Sequence, residues 1–309
     1  MELALITAQQ VAVLFLLIGT GTLAVKTGVL RLEDKQPLSN LLVYVIVPAM
    51  IINSYRMEFS MQILRNLLAA FGMSILAVFL GTGITLALTR GKTGSRMPIF
   101  RFACIFSTAA YMGFPLISAL FGAEGLLYAS AYVTVFNILL WTMGYSFVSG
   151  SSDPKEVVHS LVRTPILYAI LVGLAIYLLQ IPLPTILTRP LELLAGVNTP
   201  LSMFITGMLI AAGDVRSIVT DRHIWKLASV RMLLIPVVCL VVFGLLGFHG
   251  MAAQVVVLLE CCPAAAITSV FAVQFGHDEH FAAGSVVLTT LLSIVTLPLC
   301  ALLLTVVMG

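Results

Sequence analysis

Glu260 lies inside a long apolar run, three residues before Pro263, in the stretch ECCPAAAITS. A carboxylate at membrane depth is costly and marks an ion or ligand path unless a neighbour neutralises it. Its candidate chemistry is proton or cation carriage, and its plain alternative is a structural pair or a vestibule position. A second apolar run is interrupted by Gly113 and Pro115, in STAAYMGFPLISALFG. Proline removes a backbone donor and clashes with the preceding turn. In lipid the freed groups find no water, so such a break survives only where protein or a water-filled cavity covers it. A break also exposes helix ends. N-termini carry partial positive charge and unpaired N–H groups that attract anions, whereas C-termini and freed carbonyls attract cations.

Hydroxyls and amides cluster around these breaks. Thr108 and Tyr111 precede Pro115, Thr268 and Ser269 follow Pro263, Asn53 comes five residues after Pro48, and Asn137 sits in the next apolar run. Each can hydrogen-bond a carboxylate ligand, join two helices, or satisfy a freed carbonyl. The substrate-contact candidates are therefore Asn53, Thr108, Tyr111, Gly113, Pro115, Asn137, Pro263, Thr268 and Ser269, with Glu260 the ion-coupling candidate. Asn198, just before Pro200, and Tyr128 and Tyr132 are weaker candidates. Arg231, at the start of an apolar run in SVRMLLIP, could meet a substrate carboxylate but reads first as a side chain that snorkels to the cytoplasmic surface. His277 to His280 read as a solvated turn, and the five cysteines as small buried hydrophobes.

Other chemistries find no support. There is no HExxH and no GxxxxGK[ST], so metalloprotease chemistry and direct nucleotide drive by this chain are excluded. Glu260 has no clear acidic partner within the apolar runs, so an intramembrane enzyme is not expected. No metal-ligand spacing occurs among the cysteines, and neither metal nor other cofactor is expected. A net charge of +3 is too small to argue for nucleic acid.

The elements that must position these residues are membrane spans. Of 309 residues 60% are hydrophobic and 9% charged, against about 25% charged in a soluble domain. Ten hydrophobic segments run approximately over residues 4–25, 38–55, 67–88, 102–121, 125–147, 165–179, 191–212, 224–247, 252–275 and 281–308. The first has no Lys or Arg before it and reads as a span, not a cleaved signal. Lys26, Arg31, Lys35, Arg90, Lys92, Arg96, Arg101, Lys155, Arg163, Arg216, Arg222, Lys226 and Arg231 fall in one set of alternate loops; only Arg56, Arg65 and Arg189 fall in the other. Positive charge marks the cytoplasmic side, so both termini are expected outside.

Five plus five spans place two halves in opposite orientations, an inverted repeat with residues 1–148 and 163–309 as halves and 149–162 as a short connection. Prolines recur in order: Pro48 and Pro200 are 152 residues apart, Pro115 and Pro263 148. Two broken helices at matching places point to a transport site.

The stretch FSTAAYMGFPLISALFGAEGLLYASAYVTVFNILLWTMG resembles the fourth and fifth spans of the auxin efflux carrier family, whose bacterial members include malate or malonate permeases. NLLVYVIVPAMIINSY, RTPILYAILVGL, RMLLIPVV and VVLTTLLSIVTLPL resemble the second, sixth, eighth and tenth spans. The resemblance implies an all-α polytopic membrane protein of ten transmembrane helices with a fold like the bile acid:sodium symporters. In such a fold spans 4 and 9 are broken and cross, and a scaffold stands beside a transport domain. It implies carriage of small organic anions such as malate, malonate or auxin-like acids. Thr108 departs from the Asn usual there in relatives, and CCPAAAITS carries no amide. The expected activity is secondary transport of carboxylates across the inner membrane, coupled to protons, to sodium or to neither. The alternative is a sodium-coupled symporter of the bile-acid type. The expected partners are the organic anion and the lipid bilayer; a homodimer is an open possibility.

Overall fold

The computed structural model describes residues 2–150, 165–213 and 215–308. The expected connection at 149–162 lies outside them except for its first two residues. Backbone in hydrocarbon must hydrogen-bond within itself. Accordingly the described residues are helical, and their only β-type pairing is an isolated antiparallel bridge between Ser107 and Ala264.

In chain order the helices are α1 (Glu2–Lys26), α2 (Lys35–Leu41), α3 (Val47–Ser54), α4 (Met61–Leu88), α5 (Met97–Ile105), α6 (Phe114–Leu139), α7 (Tyr145–Ser149), α8 (Pro165–Leu179), α9 (Thr185–Ala212), α10 (Val215–Thr220), α11 (Arg222–Ser229), α12 (Ile235–Leu245), α13 (Met251–Glu260), α14 (Ile267–Gln274) and α15 (Glu279–Val307). Several join into longer rods. Among the described residues seven helical stretches are long and apolar enough to cross a membrane, and Pro165–Leu179 and Met251–Glu260 are shorter apolar helices. The protein is a polytopic membrane protein. Its outer surface carries exposed Leu16, Leu68, Leu171 and Val295, apolar area that suits lipid and not water.

The stretch Ala109–Ser149 is bent at Gly122, where φ is 62° and ψ is −148°. Only glycine adopts that conformation without strain. The hydropathy pattern divides the same residues there, between segments ending at 121 and starting at 125.

Proline shapes the rods in a second way. Among the described residues three of the four wide π-turns, Leu42–Ile46, Ala109–Gly113 and Val230–Leu234, end two residues before a proline, Pro48, Pro115 and Pro236; the fourth, Leu140–Gly144, does not. A proline ring crowds the carbonyl one turn back and offers it no N–H. Widening the preceding turn lets the rod continue. Pro115 therefore sits in the first turn of α6, and the chain does not break at it. The expected break at Gly113 and Pro115 moves upstream, to Phe106–Thr108. In the other broken rod Pro263 does lie within the break, between α13 and α14.

α1 packs on α9 and α15, α3 on α8 and α9, and α4 on α6 and α13. The α1–α9 contact depends on glycine: a Cβ on Gly207 would lie 2.0 Å from the Ile18 carbonyl oxygen. Thr22 Oγ1 donates to the Gly207 carbonyl across that contact at 2.9 Å.

Loops group at two ends. Arg96, just before α5, bonds Asp221 at 2.8 Å and Asp278 at 2.6 Å, and stacks 5.2 Å from the centre of the Phe281 ring. At the other end Arg56 meets Glu192 at 3.4 Å, and the Tyr177 hydroxyl donates to the Ser60 carbonyl at 3.0 Å. Asp221 and Asp278 also cap α11 and α15, accepting from His223 N–H at 2.7 Å and Phe281 N–H at 2.8 Å. All five cysteines are buried, as their apolar setting suggested; Cys261 and Cys300 pair as a disulfide, and Cys104, Cys239 and Cys262 are free.

Candidate functional site

The two breaks meet and satisfy one another. Thr108 N–H donates to the Pro263 carbonyl at 2.8 Å, and Ala265 N–H donates to the Phe106 carbonyl at 2.9 Å. Ala264 N–H finds Thr289 Oγ1 on α15 at 3.1 Å. Buried backbone donors and acceptors need such partners. Gly113 makes the close approach possible, since a Cβ there would stand 2.4 Å from Leu259 Cδ2 on α13.

Two half-helices, α5 and α13, end at this crossing and two begin: the rod starting at Ala109 and α14, starting at Ile267. Arg231 reaches both C-terminal ends. Nη1 donates to the carbonyls of Cys104 at 3.1 Å and Ile105 at 3.0 Å, Nη2 to that of Glu260 at 2.7 Å, and Nε to that of Cys262 at 3.2 Å. Nη1 also meets Glu260 Oε1 at 3.2 Å, with both side chains fully buried. This corrects the expectation that Arg231 snorkels outward. The acceptors within its reach offset the cost of burying the guanidinium. Glu260 likewise lies at the end of α13 with its carboxylate engaged: Tyr132 OH donates to Oε2. Tyr132 OH stands 3.3 Å from Ser107 Oγ, in the first break.

A cavity of about 510 Å³ opens beside the crossing. Thr108, Tyr111 and Asn137 line it together with Ser107. Ala109 to Tyr111 and Ala265 to Ile267 form part of the wall, which places both half-helix N-termini on the cavity. Each first turn leaves N–H groups without an intrahelical partner. Lys35, Gln36, Ser39 and Asn40 of α2 add polar groups, and Val43, Val133, Phe136, Leu140, Trp141 and Ile205 supply apolar wall. The described lining residues include no Asp or Glu.

The other expected contacts stand elsewhere. Asn53 Oδ1 accepts from Arg56 Nη1 at 2.7 Å, at the far end of α3. Gly113 and Pro115 are buried packing positions, and Pro263 is a partner of Thr108 within the crossing. Thr268 and Ser269 lie off the cavity wall, with buried hydroxyls that have no hydrogen-bond partner. The amide of Asn198 is also buried without a partner. Tyr128 bonds Glu124 at 2.5 Å and Asn66 at 3.3 Å, away from the cavity. His277 bonds the Val148 carbonyl at 2.7 Å.

Sequence reasoning missed two contributions. Lys35 entered only as a topology charge, and its neighbours Gln36, Ser39 and Asn40 carry no distinguishing pattern. Arg231 had a usable signal: it and Glu260 are opposite charges within neighbouring apolar runs, and intramembrane charges pair.

Comparison with known proteins puts the chain among membrane transporters. A family model described as membrane transport protein matches residues 6–301. Over 297 residues the chain is 28% identical to an uncharacterized transporter of Methanothermobacter thermautotrophicus, covering 95% of this chain and 96% of that protein. An uncharacterized transporter of Methanocaldococcus jannaschii is 24% identical over 314 residues, covering 96% of this chain and 98% of its own.

Proposed function

The chain belongs to the membrane transport protein family, that of the auxin efflux carriers its motifs resemble, and on that premise we propose a secondary transporter of small organic anions working by alternating access. The observation that carries the anion reading is the cavity. It joins two half-helix N-termini with Lys35, Asn137, Tyr111 and Thr108, and its described lining holds no carboxylate. Helix N-termini and a lysine attract negative charge. The apolar remainder of the wall suits the body of a small carboxylic acid.

The proposal extends to architecture. Ten spans form a 5+5 inverted repeat over residues 1–148 and 163–309, with both termini outside the inner membrane. α1, α2–α3, α8 and α9 act as the scaffold, and the remaining helices, with the crossing, act as the transport domain. The contacts of α9 with α1 and α3 support the first group, and those of α4 with α6 and α13 the second. Lys35 and Pro165 begin α2 and α8, next to loops of the Lys- and Arg-rich set. A cavity reached from there corresponds to the inward-facing state.

In this cycle an anion entering beside Lys35 exchanges water for the N–H groups of the crossing. The transport group then moves against the scaffold and exposes the same site to the other side. For the sodium-coupled alternative Glu260 would be a natural ligand, but Arg231 and Tyr132 already hold its carboxylate. That favours a carrier without sodium. Flux of labelled mono- and dicarboxylates into proteoliposomes, under imposed substrate, proton, sodium and potential gradients, tests the reading. Absence of flux under every gradient would refute it.

A further inference from the structure

Where two half-helices stop inside a protein, their last carbonyls converge and each end carries partial negative charge. Carbonyls of this kind, joined by a carboxylate, are the oxygen donors that hold small hard cations. At this crossing one planar head takes the place of such an ion. The Arg231 guanidinium bonds the carbonyls of Cys104 and Ile105 from α5, those of Glu260 and Cys262 at the end of α13, and the Glu260 carboxylate. It comes from the π-turn that links α11 to α12, a rod separate from both breaks, and is fully buried.

We propose that Arg231 is a tethered counter-cation: it fills an oxygen cage, built from both breaks, that takes a free monovalent cation once the arginine is removed. This rests on the transport reading above only in assigning the crossing to a moving site. The guanidinium fork matches several acceptors at once, which a compact ammonium does not. Arg231 is also a positioning residue. It orients Glu260, which accepts from Tyr132, whose hydroxyl lies 3.3 Å from Ser107 on the cavity wall. The geometry of the cavity floor therefore depends on a group that does not touch the cavity.

The test is thermal unfolding of the purified full-length chain in detergent. Buffers contain N-methylglucamine, sodium, potassium or guanidinium chloride at equal millimolar ionic strength. The wild-type midpoint is expected to be the same in all four. Arg231→Ala is expected to melt lower in N-methylglucamine and to regain several degrees, saturably, in guanidinium or sodium. Arg231→Lys, which keeps the charge on its own tether, is expected to melt below wild type without a cation response. Saturable stabilisation of the wild type by sodium would overturn the proposal, as would an Arg231→Ala protein indifferent to every cation. An Arg231→Ala chain that stays unfolded in all four buffers counts against it as well, because the emptied cage then takes no ion. The melt reads the crossing and not the cavity, so a failure to find a transported anion does not alter its outcome.

Discussion

Replacing the buried pair by apolar residues separates two roles of Arg231. A buried ion pair that serves only itself can be exchanged for hydrophobes at little or no loss, whereas removing one partner costs about 3–5 kcal/mol. Glu260→Leu leaves Arg231 with its carbonyl acceptors at 2.7–3.2 Å, so the lower end, about 3 kcal/mol, is expected. Arg231→Met strands both the Glu260 charge and the carbonyls of Cys104, Ile105, Glu260 and Cys262. An unsatisfied buried acceptor costs about 1–3 kcal/mol, so this variant should lose at least about 5 kcal/mol in all. The double variant Arg231→Met/Glu260→Leu removes the stranded charge but not the stranded carbonyls, and should stay well below wild type. At roughly 2–4 °C per kcal/mol, Glu260→Leu corresponds to a drop of about 6–12 °C. Thermal unfolding in detergent, read by intrinsic fluorescence and by aggregation, gives the order wild type, Glu260→Leu, Arg231→Met. A double variant as stable as wild type would refute the reasoning, because Arg231 would then be no more than a counter-ion to Glu260.

Other consequences are as direct. Burial alone would raise Asp221 and Asp278, but backbone N–H groups and Arg96 hold both below the usual carboxylate range. Their stabilisation is therefore present above the ordinary carboxylate pKa of about 4 and fades as pH falls through the lower folded value. With Arg96 34% exposed the effect is worth at most about 1 kcal/mol; the acid-side loss of stability should be smaller in Asp221→Asn, as a pH series of melts would show. Gly207→Ala pushes a methyl to within 2.0 Å of the Ile18 carbonyl and should cost about 1–3 kcal/mol by separating α1 from α9; an unchanged melt would mean that the two helices are not in contact. Lys35→Gln removes the cation of the cavity lining. If it bonds the substrate carboxylate, its loss should raise KM roughly ten- to hundredfold, as for a charge-assisted hydrogen bond; an unchanged KM in the flux assay would place the anion elsewhere. Glu260→Gln, which keeps the shape of the side chain, should leave the pH dependence of flux intact if the carboxylate is structural; a lost pH dependence would restore its proton role.

Much of the fold was legible along the chain because its signals are local. Long apolar runs belong to single segments, and among the described residues seven helical stretches are long and apolar enough to cross a membrane. Where the break falls was less legible. Pro115 looked like its cause, yet the Ala109–Gly113 π-turn absorbs the proline and the chain opens at Phe106–Thr108 instead. The competing term was the bridge to Ala264, a partner outside the local sequence.

The candidate site divides along the same line. Sequence alone determined the membrane class, the two breaks, the family and the presence of a costly acid at Glu260, because composition and segment-scale patterns carry each of these. It also singled out Thr108, Tyr111 and Asn137, which share one cavity. It could not say that Asn53 turns to Arg56, that Thr268 and Ser269 miss the cavity, or that Lys35 reaches it. Only the tertiary structure decided that Arg231 points inward, because its preference depends on acceptors contributed by α5 and α13. A lone guanidinium beside a membrane surface snorkels; one surrounded by four carbonyls and a carboxylate does not. Those acceptors converge only when two breaks, far apart in sequence, cross.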